Sequence, residues 1–318
     1  MTARVPAQAL VLTAGLGRRM RPLSDIRAKP AIPVAGDPLV RRVLRWLAKQ
    51  GVRDAVLNLH HRPESITRVV GDGTSLGIRV RYAWEPRLLG SAGGPRAMMP
   101  LVEPVPTFIV NGDTLTDMAL GGLADEHRRH GARVTLAVVD QPDRQRYGGV
   151  LTDAEGWVQG FLPAGHDSPS LHFVGIQLVE PDVFQPLRDG EPASTIGGLY
   201  AEMVASGRHL VRAHRVDGRF LDIGTPADYL ATSLTLAADE GVARLPCGPT
   251  SRIDASARLV RTAVWDHVVV AAGCELTDCI VTDGVRVGVG TQLTGQILIR
   301  SDQGTEPVMV PLTDGADP

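Results

Sequence analysis

A glycine-containing loop with three arginines follows the first apolar run of the sequence. Thr13–Leu23 has the sequence TAGLGRRMRPL, in which Gly15 and Gly17 let the backbone approach a ligand closely. Successive N–H groups of such a loop can hold phosphate oxygens, and the arginines add positive charge. The loop lacks the third glycine of a dinucleotide fingerprint and the Gly-Lys-Ser/Thr ending of a P-loop. It indicates a phosphate site of another kind, or a surface loop with solvated charges.

A single lysine follows this loop, in the segment Ala28–Pro33 (AKPAIP). The chain has 33 basic residues, yet only Lys29 and Lys49 are lysines. Arginine keeps the charge of lysine but spreads it over a planar fork, so a lysine kept in such a chain indicates a need for compact charge. Against 35 acidic residues the net charge is −2, which argues against nucleic-acid binding through bulk charge. Lys29 is therefore a candidate for contact with a phosphate group.

The elements that would position these residues alternate between apolar runs and amphipathic stretches. Short runs rich in β-branched residues predict buried strands at Ala9–Thr13, Ala55–Leu59, Ile78–Tyr82, Phe108–Val110 and Val134–Val139. Apolar periodicity predicts helices at Pro38–Lys49, Leu120–His130, Ser194–Ser206 and Pro226–Ala238, and Tyr147–Phe184 is strand-rich. This alternation predicts an α/β fold with a doubly wound, mixed, mainly parallel sheet.

An internal repeat follows a linker at Pro246–Pro249 (PCGP). Val264–Val270 (VWDHVVV) recurs as Val281–Val287 (VTDGVRV), 17 residues later. A three-sided coil needs roughly 18 residues per turn, so the repeat predicts a short left-handed β-helix. We predict three parts: an α/β domain at residues 1–245, the β-helix at 250–300 and a C-terminal tail at 301–318.

Cysteine content and hydropathy exclude several classes of protein. Three cysteines without CxxC or Cys/His spacing predict neither a disulfide framework nor a zinc site. No apolar run approaches the roughly 20 residues that span a bilayer, and the N-terminal residues lack the layout of a signal peptide. We expect a cytoplasmic protein with no membrane and no nucleic-acid partner.

The motifs together resemble the signature of the sugar-1-phosphate nucleotidyltransferases, the NDP-sugar pyrophosphorylases. That family has G-x-G-x-R-[ML]-x-P-L-[TS], then K-P-x-x-P-[VI]-x-x-x-P-[LM], and the match runs over Leu12–Leu39. Further matches are Leu89–Gly93 (LGSAG), Asn111–Asp113 (NGD), Tyr147-Gly148 and Leu221–Tyr229 (LDIGTPADY). The resemblance covers residues 8–240. It is strongest to mannose-1-phosphate guanylyltransferases, with N-acetylmuramate-1-phosphate uridylyltransferase second.

The resemblance implies a Rossmann-like nucleotidyltransferase fold and attack of a sugar-1-phosphate oxygen on the α-phosphorus of an NTP. Because two anions must meet, catalysis depends on charge neutralisation and in-line positioning. It also implies Mg²⁺ bound by Asp113 and Asp222, although isolated aspartates after strands more often cap turns or helices. The implied residues are Arg19, Lys29 and Asp113 for catalysis; Leu12, Ala14, Gly15, Gly17, Arg19, Glu85, Gly90 and Ser91 for the nucleotide; and Asn111, Gly148 and Gly175 for the sugar.

Glu85 bears on the choice of base. A carboxylate can accept hydrogen bonds from both N1–H and the N2 amino group of guanine, whereas uracil offers only N3–H. Glu85 therefore favours GTP. The alternative is that Glu85 pairs with Arg81 or Arg87 at the surface.

The chain departs from the family where the sugar should bind. The family's F-x-E-K-P segment, whose lysine binds the sugar phosphate, is Gly160–Gly165 (GFLPAG) here, without acid or lysine. The asparagine of the family's N-A-G-[IV] segment is Phe173. Candidates for the replacement charge are Arg144, Arg146 and His172.

Three functions remain open at this point. The first is a nucleotidyltransferase that couples GTP with a sugar 1-phosphate resembling mannose 1-phosphate. The second uses UTP and an N-acetylated sugar 1-phosphate, and the third is a non-catalytic regulatory subunit that binds nucleotide sugars. The retained charged residues, Arg19, Lys29, Asp113 and Asp222, favour catalysis. We also expect a homo-oligomer that associates through the β-helix.

Overall fold

The computed structural model describes residues 5–301 and 306–312. Its elements as far as residue 239 are β1 (Gln8–Leu12), α1 (Leu23–Ile26), β2 (Pro33–Val34), β3 (Asp37–Pro38), α2 (Leu39–Lys49), β4 (Asp54–Leu59), α3 (Pro63–Val70), β5 (Arg79–Trp84), α4 (Gly90–Met98), β6 (Thr107–Asn111), β7 (Thr114–Thr116), α5 (Leu120–His130), β8 (Val134–Asp140), β9 (Gly149–Thr152), β10 (Val158–Leu162), β11 (Leu171–Val179), α6 (Tyr200–Ala205), β12 (Val211–Arg215), β13 (Phe220–Asp222) and α7 (Pro226–Asp239). Short strands follow: β14 (Arg252–Ile253), β15 (Arg258–Val260), β16 (Ala263–Val264), β17 (Val269–Val270), β18 (Glu275–Thr277), β19 (Ile280–Val281), β20 (Arg286–Val287), β21 (Gln292–Thr294), β22 (Gln296–Ile299) and β23 (Val308–Pro311).

The described residues fall into two compact units. One unit contains residues of 1–15 and 40–221, and the other contains residues of 16–39 and 222–318. The predicted domain limits at 245 and 250 stay a prediction. Of the predicted tail at 301–318, residues 302–305 and 313–318 lie outside the described residues, while β23 lies within it and pairs antiparallel with β22.

The first unit is built on a nine-stranded mixed sheet. Its path is β10-β9-β11-β6-β1-β4-β5, and β8 joins β11 to β12. The strands β6, β1, β4 and β5 are parallel, whereas β11 runs antiparallel to both β6 and β8. This arrangement confirms the predicted α/β fold with a mixed sheet.

Strand burial explains why the apolar runs predicted these elements. Leu10, Val56 and Ile109 lie side by side on neighbouring parallel strands and are fully buried. One predicted helix differs in form: the stretch Ser194–Ser206 opens with a π-helical turn, Thr195–Leu199, before α6 begins. The pair Gly197-Gly198 within that turn has low α-helix propensity.

In the second unit, residues 16–39 have little regular structure. Two 3₁₀ turns, Arg18–Met20 and Lys29–Ala31, flank the single turn of α1. The hairpin of β2 and β3 follows, and its connecting residues, Ala35 and Gly36, both have positive φ. That geometry matches the two-residue hairpin turn that fits strand twist.

The rest of the second unit contains the predicted β-helix. Three parallel sheets, β14-β17-β20, β15-β18-β21 and β16-β19-β22, form its sides. Each step between neighbouring strands advances 17 residues, as in the pairs of Leu259 with Leu276 and Leu276 with Leu293. Leu276 is fully buried in the interior of the coils. The 17-residue repeat in the sequence thus corresponds to the step between paired residues on neighbouring coils.

No helix among the described residues is long and apolar enough to cross a membrane.

Candidate active site

In the first unit, residues at the ends of β1, β4 and β6 form one hydrogen-bonded group. Leu12 lies opposite Asn111 in the parallel register, and the N–H of Gly112 donates to the Leu12 carbonyl at 2.9 Å. The N–H of Thr13 donates to Asn58 Oδ1 at 2.7 Å, and the Thr13 hydroxyl donates to the Asn58 carbonyl. The carboxyl ends of parallel strands are the usual binding edge of such sheets.

Glu85 is a buried member of this group. Its side chain is 1% exposed, Oε1 accepts from Asn58 Nδ2 at 2.7 Å, and Oε2 accepts from the Leu89 N–H at 3.0 Å. Arg87 instead donates to the Gly190 carbonyl. The alternative of a surface pair between Glu85 and Arg87 is therefore wrong. A carboxylate oxygen has two lone pairs, so each Glu85 oxygen can accept one hydrogen bond more than the one observed.

The Leu89–Gly93 segment that Glu85 holds is fixed on its other side as well. The Ala193 N–H donates to the Leu89 carbonyl at 2.9 Å, and the Ala92 N–H donates to the Ala193 carbonyl at 3.0 Å. Ser91 Oγ accepts from the Thr195 N–H at 2.9 Å. Gly90 has φ +75°, and a Cβ there would lie 2.6 Å from the Ala193 carbonyl oxygen. The segment is therefore hydrogen-bonded on both sides at the start of α4.

The structure brings together two of the three residues predicted to bind the sugar. Gly175 has φ +79°, and a Cβ on it would lie 2.5 Å from Asn111 Nδ2 and 2.9 Å from Thr114 Oγ1. Thr114 Oγ1 donates to the Val174 carbonyl at 3.1 Å. Gly148 lies elsewhere, against the Leu162 carbonyl of β10. Only glycine fits at position 175 while Asn111 keeps its place.

The three candidates to replace the family's sugar-side lysine occupy different positions. Arg146 lies over the Tyr147 ring with its guanidinium carbon 5.2 Å from the ring centroid. His172 lies between Tyr147 and Phe220, with ring centroids at 4.5 and 5.1 Å. Arg144 donates to the Asp167 carbonyl at 3.2 Å. Two of the three candidates thus meet at one aromatic cluster.

The segment that lacks the lysine, Gly160–Gly165, borders an open cavity of about 440 Å³. Phe161, Leu162 and Pro163 line one side of it, and Ile196 and Val204 line the other. The segment that is charged in the family therefore contributes apolar side chains to the lining of this cavity.

In the second unit, the loop glycine and the lysine lie in contact. Gly17 has φ +60°, and a Cβ on it would lie 3.1 Å from Ser24 Cβ and 3.3 Å from Lys29 Cβ. Ser24 Oγ donates to the Gly17 carbonyl at 2.9 Å. Arg19 is exposed in the neighbouring 3₁₀ turn, and Lys29 is partly buried. The glycine loop and Lys29 form one packed substructure.

The predicted metal ligands lie on different elements. Asp113 is partly buried two residues after β6, and Asp222 is partly buried at the end of β13. Asp228 caps α7, because its Oδ2 accepts from the N–H groups of Gly224 and Thr225 at 3.1 and 2.9 Å. Among residues 5–301 and 306–312, no cluster of three or more His, Cys, Asp or Glu side chains could hold a metal ion. A single aspartate carboxylate is a ligand that Mg²⁺ accepts, because this ion takes few protein ligands and completes its shell with water and phosphate oxygens.

Asn58 and Thr195, which hold Thr13 and Ser91 by hydrogen bonds, were not predicted from the sequence. A polar residue inside the apolar run AVLNL was a usable signal for Asn58, since a buried amide in a strand needs partners. Thr195 had no comparable signal, because its bond to Ser91 joins residues 104 apart in the sequence.

The chain is similar to known nucleotidyltransferases in sequence and in fold. The nucleotidyl transferase family model matches residues 8–239. Mannose-1-phosphate guanylyltransferase of Mycobacterium tuberculosis is 30% identical over 292 residues, which cover 91% of this chain and 79% of that protein. N-acetylmuramate alpha-1-phosphate uridylyltransferase of Neisseria meningitidis is 32% identical over 222 residues, which cover 69% and 93%. The crystal structure of HddC from Yersinia pseudotuberculosis superposes with a TM-score of 0.64 at 20% identity, covering 73% of this chain and all of that one, and supports the fold.

Glu85→Gln is expected to destabilise the protein and to weaken nucleotide binding. The new NH₂ group must face either the Asn58 amide or the Leu89 N–H, and a buried donor left without an acceptor costs about 1–3 kcal/mol. The free energy of unfolding from urea titration should fall by that amount, and GTP affinity from calorimetry should fall with it.

The matched control is Glu103→Gln, because Glu103 is exposed and contacts Gln8 through its backbone groups. Wild-type stability of Glu85→Gln would show that the hydrogen bonds at Asn58 and Leu89 do not depend on the carboxylate.

Proposed function

Because the chain belongs to the nucleotidyl transferase family and is a sugar-1-phosphate nucleotidyltransferase, we propose that it couples GTP with a sugar 1-phosphate resembling mannose 1-phosphate. The products are a GDP-sugar and pyrophosphate. The observation that most supports catalysis is the packing of Gly17 against Lys29, which joins a phosphate-type loop to a compact cation. The similarity to a guanylyltransferase over most of both chains supports GTP.

The proposed reaction is an in-line displacement. An oxygen of the sugar 1-phosphate forms a bond to the α-phosphorus, the bond from that phosphorus to the bridging oxygen breaks, and pyrophosphate leaves with the electron pair. The barrier comes largely from bringing two anions together, so positive charge and alignment matter more than proton transfer.

We propose the following roles for the charged residues. Backbone N–H groups of Ala14–Gly17 hold the triphosphate, and Arg19 binds the leaving pyrophosphate with its planar fork. Lys29 offsets the charge that accumulates around the α-phosphorus. Asp113 and Asp222 would hold Mg²⁺, which supplies further positive charge to the phosphate oxygens when bound.

On the nucleotide and sugar sides we propose roles for residues of the first unit. Glu85 orients the Leu89–Gly93 segment and presents its remaining acceptor capacity to guanine. The nucleotide is also proposed to contact Leu12, Gly90 and Ser91. The sugar is proposed to contact Asn111, Gly148 and Gly175. Arg146 and His172 are proposed to provide the charge that the missing lysine would supply, since they meet at the Tyr147 cluster.

Two other functions have specific support. A UTP-dependent transferase for an N-acetylated sugar is favoured by the similarity to the N-acetylmuramate alpha-1-phosphate enzyme and by the apolar cavity beside Phe161. A regulatory subunit is favoured by the absence of the sugar-side lysine from Gly160–Gly165.

A substrate panel tests the proposal. Pyrophosphate release should be measured for four NTPs against glucose, mannose, N-acetylglucosamine and N-acetylmuramate 1-phosphates, with Mg²⁺ and with EDTA. We expect the highest kcat/KM for GTP with mannose 1-phosphate and no turnover with EDTA. A preference for UTP with an N-acetylated sugar selects the second function, and no turnover with any pair selects the third.

We also propose that the chain self-associates through the β-helix. Val289 of the β-helix is 80% exposed, and Val308 and Met309 of β23, which pairs with β22, are 50% and 54% exposed. The native mass, measured by light scattering at micromolar concentration, should exceed that of one chain. A monomer across the concentration range would contradict self-association.

A further inference from the structure

Two aspartates stand next to each other on successive coils of the β-helix. Asp266 and Asp283 are 17 residues apart, which is the rung-to-rung step, and the Asp266 N–H donates to Asp283 Oδ1 at 3.0 Å. Their side chains are only 29% and 27% exposed. Like charges this close repel each other more strongly as water is excluded, so the pair needs a cation.

Arg27 provides that cation from the segment that bears Lys29. Its Nε donates to Asp283 Oδ2 at 2.7 Å, and its Nη2 donates to Asp283 Oδ1 at 2.6 Å and to Asp266 Oδ2 at 2.7 Å. The side chain is 14% exposed, and its guanidinium carbon lies 5.3 Å from the centroid of the Trp265 ring. Because the planar guanidinium binds two carboxylates and lies over an aromatic ring, both its position and its orientation are defined.

A second link reaches the same segment from α7. Trp265 is 1% exposed, and its Nε1 donates to the Tyr229 hydroxyl at 2.9 Å. The Tyr229 hydroxyl in turn donates to the Pro33 carbonyl at 2.8 Å. The coil that carries Asp266 therefore holds the segment at two points, Arg27 and Pro33.

Lys29 lies between these two points of attachment, and its backbone has little regular structure to fix it. The regular backbone bonds of this stretch are those of short turns, such as the bond from the Ile32 N–H to the Lys29 carbonyl at 3.2 Å. Lys29 in turn packs against Gly17 of the glycine loop. Displacement at Arg27 would therefore move both the lysine and the loop.

We propose that Arg27 is a positioning residue through which the β-helix holds Lys29 and the glycine loop in their reactive arrangement. Its catalytic consequence rests on the proposed function. The β-helix thus acts on the reaction as well as on any self-association. Arg27 touches no reacting atom in this role, and Asp266 and Asp283 act through it.

The chain offers a matched control for this arrangement. Arg261 makes a two-point contact with Asp278, also 17 residues away, on the same β-helix. Both partners of that pair belong to the β-helix, and Arg261 is exposed. Arg261→Met removes a two-point arginine–aspartate pair, more exposed than that of Arg27, without changing a residue of 16–39.

The experiment compares Arg27→Met, Asp266→Asn/Asp283→Asn, the triple variant that combines them, Arg27→Lys and Arg261→Met, all in the full chain. For each we would measure kcat at saturating substrates, GTP affinity, the free energy of unfolding, and amide hydrogen exchange of peptides covering residues 23–34. The bonded N–H groups of Arg27, Ala31 and Ile32 report order in that stretch.

We expect Arg27→Met and the Asp266→Asn/Asp283→Asn variant to lose about 10- to 100-fold in kcat, because small misplacement of a catalytic group has effects of that size. Exchange in residues 23–34 should accelerate in both. Arg27→Lys, which keeps the charge but not the fork, should be intermediate. Arg261→Met should match the wild type in kcat and in exchange.

The triple variant separates positioning from stability. Neutralising a whole buried ion cluster is often close to neutral for stability, whereas removing one side leaves unpaired charge. We therefore expect its free energy of unfolding to return towards the wild-type value while kcat stays low. Recovery of kcat together with stability would overturn the proposal.

Failure of this inference can be told from failure of the proposed function. A wild-type chain inactive with the whole substrate panel would overturn the proposed function, and hydrogen exchange would still decide whether the β-helix orders residues 23–34. Wild-type exchange in the Asp266→Asn/Asp283→Asn variant would overturn the positioning role, whatever the activity.

Discussion

The repulsion between Asp266 and Asp283 requires a cation between the two carboxylates. Arg27, in the same segment as Lys29, provides it. Parallel coils in register stack identical positions above one another, so two acidic residues one repeat apart must lie close together. Arg27 meets both carboxylates and thereby joins residues 16–39 to a rigid stack of short strands. The regular structure of that segment consists of single turns and a hairpin with a two-residue turn, so its conformation depends on contacts of this kind as well as on its own backbone bonds.

Charged residues in this chain differ in burial and in the number of their hydrogen bonds, and these differences match the roles proposed for them. Arg27 is partly buried and fixed by two carboxylates, whereas Arg19 is exposed on a short turn where it can meet a ligand. Glu85 is buried, and each of its oxygens accepts a hydrogen bond from the chain. A fixed buried charge orders the backbone around it, while an exposed one remains available for binding.

Much of the fold followed from local patterns, because buried parallel strands and β-helix coils both repeat at short range. The strands around Leu10 and Val56 and the 17-residue step between Leu259 and Leu276 were predictable in this way. The partners of polar groups were not. Arg27 bonds to Asp266 and Asp283, which lie 239 and 256 positions further along the chain. Ser91 bonds to Thr195, 104 positions further along. Nothing in the surrounding sequence encodes such pairings, since they arise only when the chain is folded. The sequence repeat shows that Asp283 in VTDG corresponds to Asp266 in VWDH, but it does not show that Arg27 bonds to both.

Lys29 is central to this account, because it is one of two lysines and occupies the position where a compact cation between phosphates is proposed. The most direct measurement is single-turnover formation of the NDP-sugar by Lys29→Arg, with GTP affinity measured on the same protein and Lys49→Arg as the matched control. The account predicts that Lys29→Arg binds GTP like the wild type but loses about 2–4 kcal/mol of transition-state stabilisation, since arginine keeps the charge without the compact geometry. Lys49→Arg should be unchanged. A near-normal rate in Lys29→Arg would contradict the role assigned to this lysine.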